Sequence, residues 1–520
     1  MLLPVRNFAS MVRCQFPVCL GLVLCLIAPL LAISDASLWI DEALTAVKAQ
    51  QPTLSDWWRA MVQERASDLQ MPLYMLYMWG YEKVFGSDEW VLRAANAPLF
   101  VAGAICFLRR IARLGTGGMA FAVAVALSPF AWAYLNEARP YAMAMAAGLV
   151  VYSALVQLLE EGAEPSRNCV GAVALFSIGG FILSGSSLLG MVWFTAALVG
   201  TAWALPAQKM KWLARQAGVW IWITLVWLGA LGLYYVWTVL VGARGTAVGG
   251  TAWKNVVFVF YELLGFAGLG PGRLEIRASG FDAFRAHLLP LGIYAVLVGV
   301  VAIEGIRSVL GSALKREVAK VCVCLAIAGA ALFCLGWAVH WRVLGRHFAP
   351  IWVPVGVVLG LGMQRLWSRG APVLRAIVVA FVVLMAVSCA QLRFSARHAR
   401  DDYRQAAFAA KSALAHGKVV WWNADPSGAK YYGLPDAPEP GGTVRLVYLA
   451  NPTSEDLARM VAPDVIIASR PDVYDNQGAV ARYVSSAGFE LVQKWPGFIV
   501  WRAIPPRDRA APAGRGAQHY

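Results

Sequence analysis

Apolar runs of membrane-spanning length recur along most of this chain. They cover roughly 16–34, 92–109, 118–135, 141–159, 169–186, 188–206, 217–240, 287–304, 320–340, 349–365 and 372–390. A helix crosses the hydrocarbon core with about 20 residues at about 1.5 Å rise each. The pattern predicts about eleven transmembrane helices. Arg6 and Arg13 precede the first run, as in a signal peptide. That run is nearly a full span and others follow, so it reads as an uncleaved helix.

Two further apolar pieces are shorter. They are "LQMPLYMLYMWGYEKVF" (69–85) and "WKNVVFVFYELLGF" (Trp253 to Phe266), the second inside the Gly-rich segment 241–286. Their Tyr, Trp and charged positions predict helices lying at the membrane surface.

The pattern changes after Gln391. "HARDDYRQAAFAAKSALAH" has the periodicity of an amphipathic helix, and "NQGAVARYVSSAG" predicts a second. "GKVVWW", "VRLVYLA", "PDVIIAS" and "FIVWRAI" predict strands separated by turn-rich stretches. The expected organisation is a membrane domain over 1–390, a small α/β domain over 391–505 and a disordered tail over 506–520.

Composition agrees with a membrane protein. The 520 residues are 59% hydrophobic and 14% charged, with mean hydropathy +0.58. Soluble domains hold about 25% charged residues. The net charge of +15 would suggest nucleic acid in a soluble protein. Here the basic residues cluster between apolar runs, at Arg109, Arg110 and Arg113, at Lys209, Lys211 and Arg215, and at Arg307, Lys315, Arg316 and Lys320. That is the positive-inside pattern, so nucleic-acid binding is set aside. With the N-terminus inside, these clusters fall in the cytoplasm. The segments 35–91, 241–286 and 341–348, and everything after Gln391, fall outside. The nine Cys lie mostly within apolar runs and outline no disulfide framework or zinc site.

This topology gathers acids at one depth. Asp41 and Glu42 in "SLWIDEALTA" follow the first span. Asp68 precedes the first surface helix, and Glu137 lies in "LNEARPYAM", a turn between two apolar helices. Any one loop carboxylate is ordinarily just solvated. A charge in a tight turn between membrane helices is costly unless it is paired or functional. Arg139 is a candidate partner for Glu137, and Pro72 and Pro140 stiffen the following helix starts. One carboxylate in such a group can act as general base on a hydroxyl or amine, and a second can orient it or bind a divalent metal. A phosphate leaving group needs cations. Arg139, Lys254, Arg342, Arg346 and His347 are the candidates. The last three lie in "HWRVLGRHFAP", a basic loop on the outer side. A lipid-headgroup anchor explains that loop equally well.

"WIDEALT", "SDLQMPLYMLYMWGYEKVFGSDEWVLRAANAPLF" and "NEARPYAM" resemble the bacterial relatives of the protein O-mannosyltransferases and of the aminoarabinose transferase of lipid A. These are membrane glycosyltransferases of GT-C type. The likeness is best over roughly 16–200, while "GRHFAP" resembles a degenerate Arg-Tyr-Leu-x-Pro element and "DDYRQAA" opens a familiar accessory domain.

The resemblance implies an inverting transfer from a polyprenyl-phosphate sugar on the outer face of the bacterial inner membrane. It implies Asp41 as base or acceptor-orienting acid, with Glu42 beside it, and Asp68 and Glu137 as further acids of the pocket. It implies Arg346 near the donor phosphate, with Tyr141 in the matching "E-x-R-x-Y" turn. Gln70 and Met71 stand where the family has His and Pro. The acceptor stays open between lipid, glycan and protein. A divalent ion, at Asp41 or Glu137 if anywhere, stays open too, as does the oligomeric state.

No Walker or dinucleotide glycine motif appears, and "GLGPGR" (Gly268 to Arg273) lacks a strand-to-helix setting. A transporter, flippase or polymerase of lipid-linked glycans is the rival reading. Transporters carry ionisable groups at mid-membrane. The acids here sit at the outer ends of the spans.

Overall fold

The computed structural model describes residues 8–111, 118–160, 167–243, 250–435 and 444–504. The expected disordered tail, 506–520, lies outside them. The chain divides into two compact units. One comprises Met1–Asp35 and Lys48–His398, the other Ala36–Val47 and Ala399–Tyr520.

The first unit is helical. Among the described residues, eight helices are long and apolar enough to cross a membrane, or up to ten if each bent pair is one span. The eleven expected spans are therefore not reached. The first helix, Phe8–Ala32, contributes a described apolar stretch of only Cys19–Ala32. Proline, which cannot donate to the preceding turn, breaks one other expected span and ends a second. Gly118–Ala126 and Pro129–Leu135 meet at 47°, and Ser128 caps the second by accepting from the Ala131 N–H at 3.2 Å. Leu188–Ala204 ends before Pro206, and Ala207–Gln216 turns away by 118°. This second helix carries Lys209, whose ammonium donates to the Leu158 carbonyl at 2.8 Å. It thereby satisfies an orphan carbonyl near the C-terminus of Tyr141–Glu160.

The two surface helices keep their expected places in the chain. Pro72–Phe85 has 14 residues and Trp253–Leu263 has 11, or about 21 Å and about 16 Å of rise. Both are too short to span. Tyr141–Glu160 is the central helix and is buried along most of its length. The helix Leu288–Leu310 approaches Trp352–Ser368 so closely that a Cβ on Gly305 would strike the Val358 carbonyl, and one on Gly362 the Val301 carbonyl.

The second unit holds a five-stranded sheet. The strands are β1 (Val420–Asn423), β2 (Leu446–Tyr448), β3 (Val465–Ser469), β4 (Phe489–Trp495) and β5 (Phe498–Ala503). Their order is β2-β1-β3-β5-β4. β1 pairs in parallel with β2 and β3, and β5 runs antiparallel to β3 and β4. Alternate residues face opposite cores. Trp422 and Ile467 meet Tyr403, Ala406 and Ala410 of the helix Tyr403–Ala415. Trp421 and Ile466 meet Val480 and Val484 of the helix Ala479–Ser486. Cover on both faces explains the continuous apolar run of β1. β4, "FELVQKW", was not among the expected strands. It is an edge strand with mostly exposed side chains, so no apolar alternation marks it.

Candidate active site

Asp68 sits in the short 3-10 turn Ser67–Gln70 that precedes the helix starting at Pro72. It is fully buried and held between two cations. Lys48 Nζ lies 2.7 Å from one carboxylate oxygen and Arg139 Nη1 2.5 Å from the other. Lys48 also pairs with Glu64 at 2.8 Å. Burial pushes the Asp68 carboxyl up, but Lys48 and then Arg139 outweigh it and hold its pKa down at about 2. Such a carboxylate stays ionised and is a weak base. Its geometry is that of an anchor for Arg139.

Gln70 and Met71 both take part in this region. The Gln70 amide donates to the Ala243 carbonyl at 2.9 Å, and the Met71 sulfur accepts from Arg139 Nη2 at 3.4 Å.

Glu137 lies in the turn between Pro129–Leu135 and Tyr141–Glu160. The turn is latched from outside. Asn96 Nδ2 donates to the carbonyls of Leu135 at 3.0 Å and Glu137 at 2.7 Å. The Ser34 N–H donates to Asn136 Oδ1 at 2.8 Å, and Arg93 donates to the Ser34 carbonyl at 3.0 Å. The Arg139 backbone N–H donates to the Glu137 carbonyl at 2.7 Å, but its guanidinium is placed elsewhere. The turn directs it to Asp68, while the fully buried Glu137 side chain accepts from Arg273 Nη1 at 3.4 Å.

Arg273 is half exposed and also approaches Glu262 at 3.7 Å. Glu262 accepts from the Tyr134 hydroxyl at 3.3 Å. Its carboxylate lies against Gly345, where any Cβ would strike it. Arg346 follows Gly345, 5.8 Å from the Tyr141 ring centroid, and the Tyr141 and Tyr134 rings lie 5.1 Å apart. Two carboxylates and two guanidiniums are thus interleaved with two tyrosines. Burial raises the Glu262 pKa; Arg273 and Arg346 draw it down and Glu137 pushes it up, with a net rise.

The other candidate cations stand apart from this cluster. His347 builds its own loop. Its Nδ1 accepts from the Leu344 N–H at 3.0 Å, its ring stacks on Trp341 at 4.5 Å, and its carbonyl accepts from Trp193 Nε1 at 2.7 Å. Lys254 and Arg342 are exposed on the surface.

Asp41 and Glu42 belong to the second unit, in the first turn of the helix Ile40–Ala49. Acids there suit the positive end of the helix dipole. Glu42 is fully buried; it accepts from the Trp39 N–H at 3.4 Å, in the manner of half a capping box, and lies 3.5 Å from Arg400 Nη1. Asp41 is part-exposed. Among the described residues, no three His, Cys, Asp or Glu side chains gather as a metal ion would require.

Glu262, Arg273 and Tyr134 were not singled out from the sequence. The available signals were an acid inside the apolar "FVFYELLGF" and the arginine that closes "GLGPGR".

No family model and no curated protein matches the chain. Among solved structures it is similar to ArnT from Cupriavidus metallidurans in the apo state, at 12% identity and TM-score 0.49, over 96% of this chain and 100% of that one. The same protein bound to undecaprenyl phosphate aligns at 13% identity and TM-score 0.47, over 96% and 100%. The arabinofuranosyltransferase AftD from Mycobacteria aligns at 13% identity and TM-score 0.42, over 94% of this chain and 40% of that one.

Proposed function

We propose that this chain is an inverting membrane glycosyltransferase. It takes a sugar from a polyprenyl-phosphate donor at the outer face of the inner membrane and passes it to a lipid, glycan or protein acceptor. The reading starts from the sequence resemblance. The observation that carries it is the place of the Glu137–Glu262–Arg273–Arg346 cluster. Glu137 immediately precedes the span Tyr141–Glu160, while Arg273 and Arg346 open the spans Arg273–Leu310 and Gly345–Ser368. Ionisable groups gathered at span ends suit chemistry at a membrane surface. A transport path would call for them at mid-membrane.

The roles follow from the chemistry. The acceptor hydroxyl or amine attacks the anomeric carbon as the bond to the donor phosphate breaks. The phosphate leaves with the electron pair, and Asp41 takes the acceptor's proton. Glu42, already tied to Trp39 and Arg400, orients that helix turn. Arg273 and Arg346 hold the phosphate through charge-assisted hydrogen bonds. Glu137 and Glu262 keep Arg273 in place, and Tyr141 supports Arg346. Asp68 fixes Arg139 behind the turn.

The test is purified protein in nanodiscs with radiolabelled polyprenyl-phosphate sugars, with Asp41→Asn alongside. Transfer by the wild type and its loss in a folded Asp41→Asn protein support the reading. No turnover, together with no photo-crosslinking of donor, overturns it in favour of a transporter or polymerase.

A further inference from the structure

The α/β unit contains a segment that the chain contributes from far upstream. Residues Ala36–Val47 belong to the same compact body as Ala399–Tyr520. Successive positions of that segment are held by different elements of the unit. Ser37 Oγ accepts from the Arg404 N–H at 3.1 Å and lies 3.2 Å from the Tyr432 hydroxyl. The Leu38 N–H donates to the same hydroxyl at 2.8 Å, across 394 positions of chain. Arg470 lies over the Trp39 ring, 5.9 Å from its centroid. Ile40 packs on the core that holds Tyr403, Trp422 and Phe498. Glu42 lies 3.5 Å from Arg400.

The sheet topology gives this docking a physical sense. β1 lies between β2 and β3, so the chain leaves β1 to one side and returns to the other. In open α/β sheets, ligands bind beyond the carboxyl ends of the strands at such a switch point. Arg470 directly follows β3, and Tyr432 closes the helix Pro426–Tyr431 that follows β1. Both engage residues 37–39. The groups that such a fold ordinarily turns toward a ligand are here turned toward the chain's own acidic segment.

We infer that the α/β unit is a positioning device for the Asp41–Glu42 turn, with Tyr432, Arg400 and Arg404 as positioning residues and Ser37 to Ile40 as the docked strap. Its catalytic meaning rests on Asp41 as the base proposed above. The docking itself does not. A base must be held within a fraction of an ångström of its productive place, and a loop alone does not provide that. Here the residues on either side of Asp41, Ile40 and Glu42, are both fixed, so the carboxylate between them has a defined origin.

The experiment uses the full-length protein in nanodiscs. Tyr432→Phe removes the hydroxyl that holds Leu38 and Ser37. Ser37→Ala removes the contact from the strap's side without touching the α/β core. Hydrogen–deuterium exchange is followed over 36–47, and kcat and the donor KM are measured in parallel. Both variants are expected to raise exchange over 36–47 by about five- to tenfold while the helix Tyr403–Ala415 and β3 stay protected. They are expected to lower kcat by a similar factor with the donor KM unchanged. Unchanged exchange over 36–47 in both variants overturns the docking. Raised exchange with wild-type kcat overturns the positioning role. Failure of the transferase reading shows separately, as an inactive wild-type protein, and the exchange measurement does not depend on it.

Discussion

Arg139 donates to Asp68 across 71 positions of chain, with a 2.5 Å contact and both side chains buried. Lys48 completes the set from the other oxygen. Two cations on one carboxylate explain why it stays ionised despite full burial. Removing the anion leaves two buried cations facing each other, which typically costs about 3–5 kcal/mol. Asp68→Asn is therefore expected to lower the thermal midpoint by several degrees in detergent. The Asp68 pKa is depressed to about 2. Its contribution is thus complete above the unfolded value of about 3.9 and is lost only as pH falls through the folded one. The deficit of Asp68→Asn relative to wild type should not change between neutral pH and about pH 5. A deficit that varies over that range would mean the pair is not built as described.

Arg273 and Arg346 make separable contributions. Arg273 is half exposed and balanced by Glu137 and Glu262, whereas Arg346 rests against Tyr141. If both grip the donor phosphate, Arg273→Ala and Arg346→Ala should each cut kcat/KM for the donor by about ten- to a hundredfold, a loss of about 1.4–2.8 kcal/mol. The acceptor KM should move little. Arg346→Lys should recover only part of the loss, because a planar guanidinium engages phosphate bidentately and an ammonium does not. Equal effects on donor and acceptor would point to collapse of the pocket.

Much of the helical layout was legible because apolar runs near span length have few alternative readings. Glu137 stands out as an acid where acids are costly, and Asp68 as one at the same depth. Their partners do not. Arg273 reaches Glu137 over 136 positions, and no spacing rule links them. Arg139 was the nearest cation in sequence to Glu137, but the turn sends it elsewhere. Pro206 ended one expected span, and the following basic helix turned away at an angle no periodicity encodes. β4 was illegible for a simpler reason. An exposed edge strand has no buried face to mark it. By sequence the strap at Ser37 to Ile40 is a loop of the membrane domain, since docking across almost 400 residues leaves no trace in the strap's own sequence.

A second buried anchor lies away from the candidate site. Glu304 holds Arg307 at 2.6 Å, Arg365 at 3.0 Å and Arg369 at 3.0 Å, where the helix Leu288–Leu310 meets the end of Trp352–Ser368. Three guanidiniums share one carboxylate. Glu304→Gln removes the only charge among these four that offsets their mutual repulsion. It should lower the thermal midpoint, more strongly at low salt than at high salt, because screening relieves repulsion between exposed cations. Donor KM should stay at the wild-type value, since the cluster does not touch the groups assigned to the phosphate. A midpoint unchanged at low salt would count against the anchor.

Glu262 gives the clearest pH signature. Burial is the largest influence on it and raises its pKa, and neighbouring Glu137 raises it further, against Arg273, Arg346 and the Tyr134 hydroxyl. A carboxyl whose folded pKa exceeds its unfolded value of about 4.3 favours the fold most below that unfolded value. This contribution is lost as pH rises through the folded pKa. Glu262→Gln imitates the protonated form, and its amide oxygen can still accept from Tyr134. The wild-type midpoint should therefore fall relative to that of Glu262→Gln as pH rises through the folded pKa, with the two closest at low pH. The check is a series of thermal unfolding curves for both proteins from pH 5 to 9. Parallel curves across that range would count against a raised pKa for the Glu262 carboxyl.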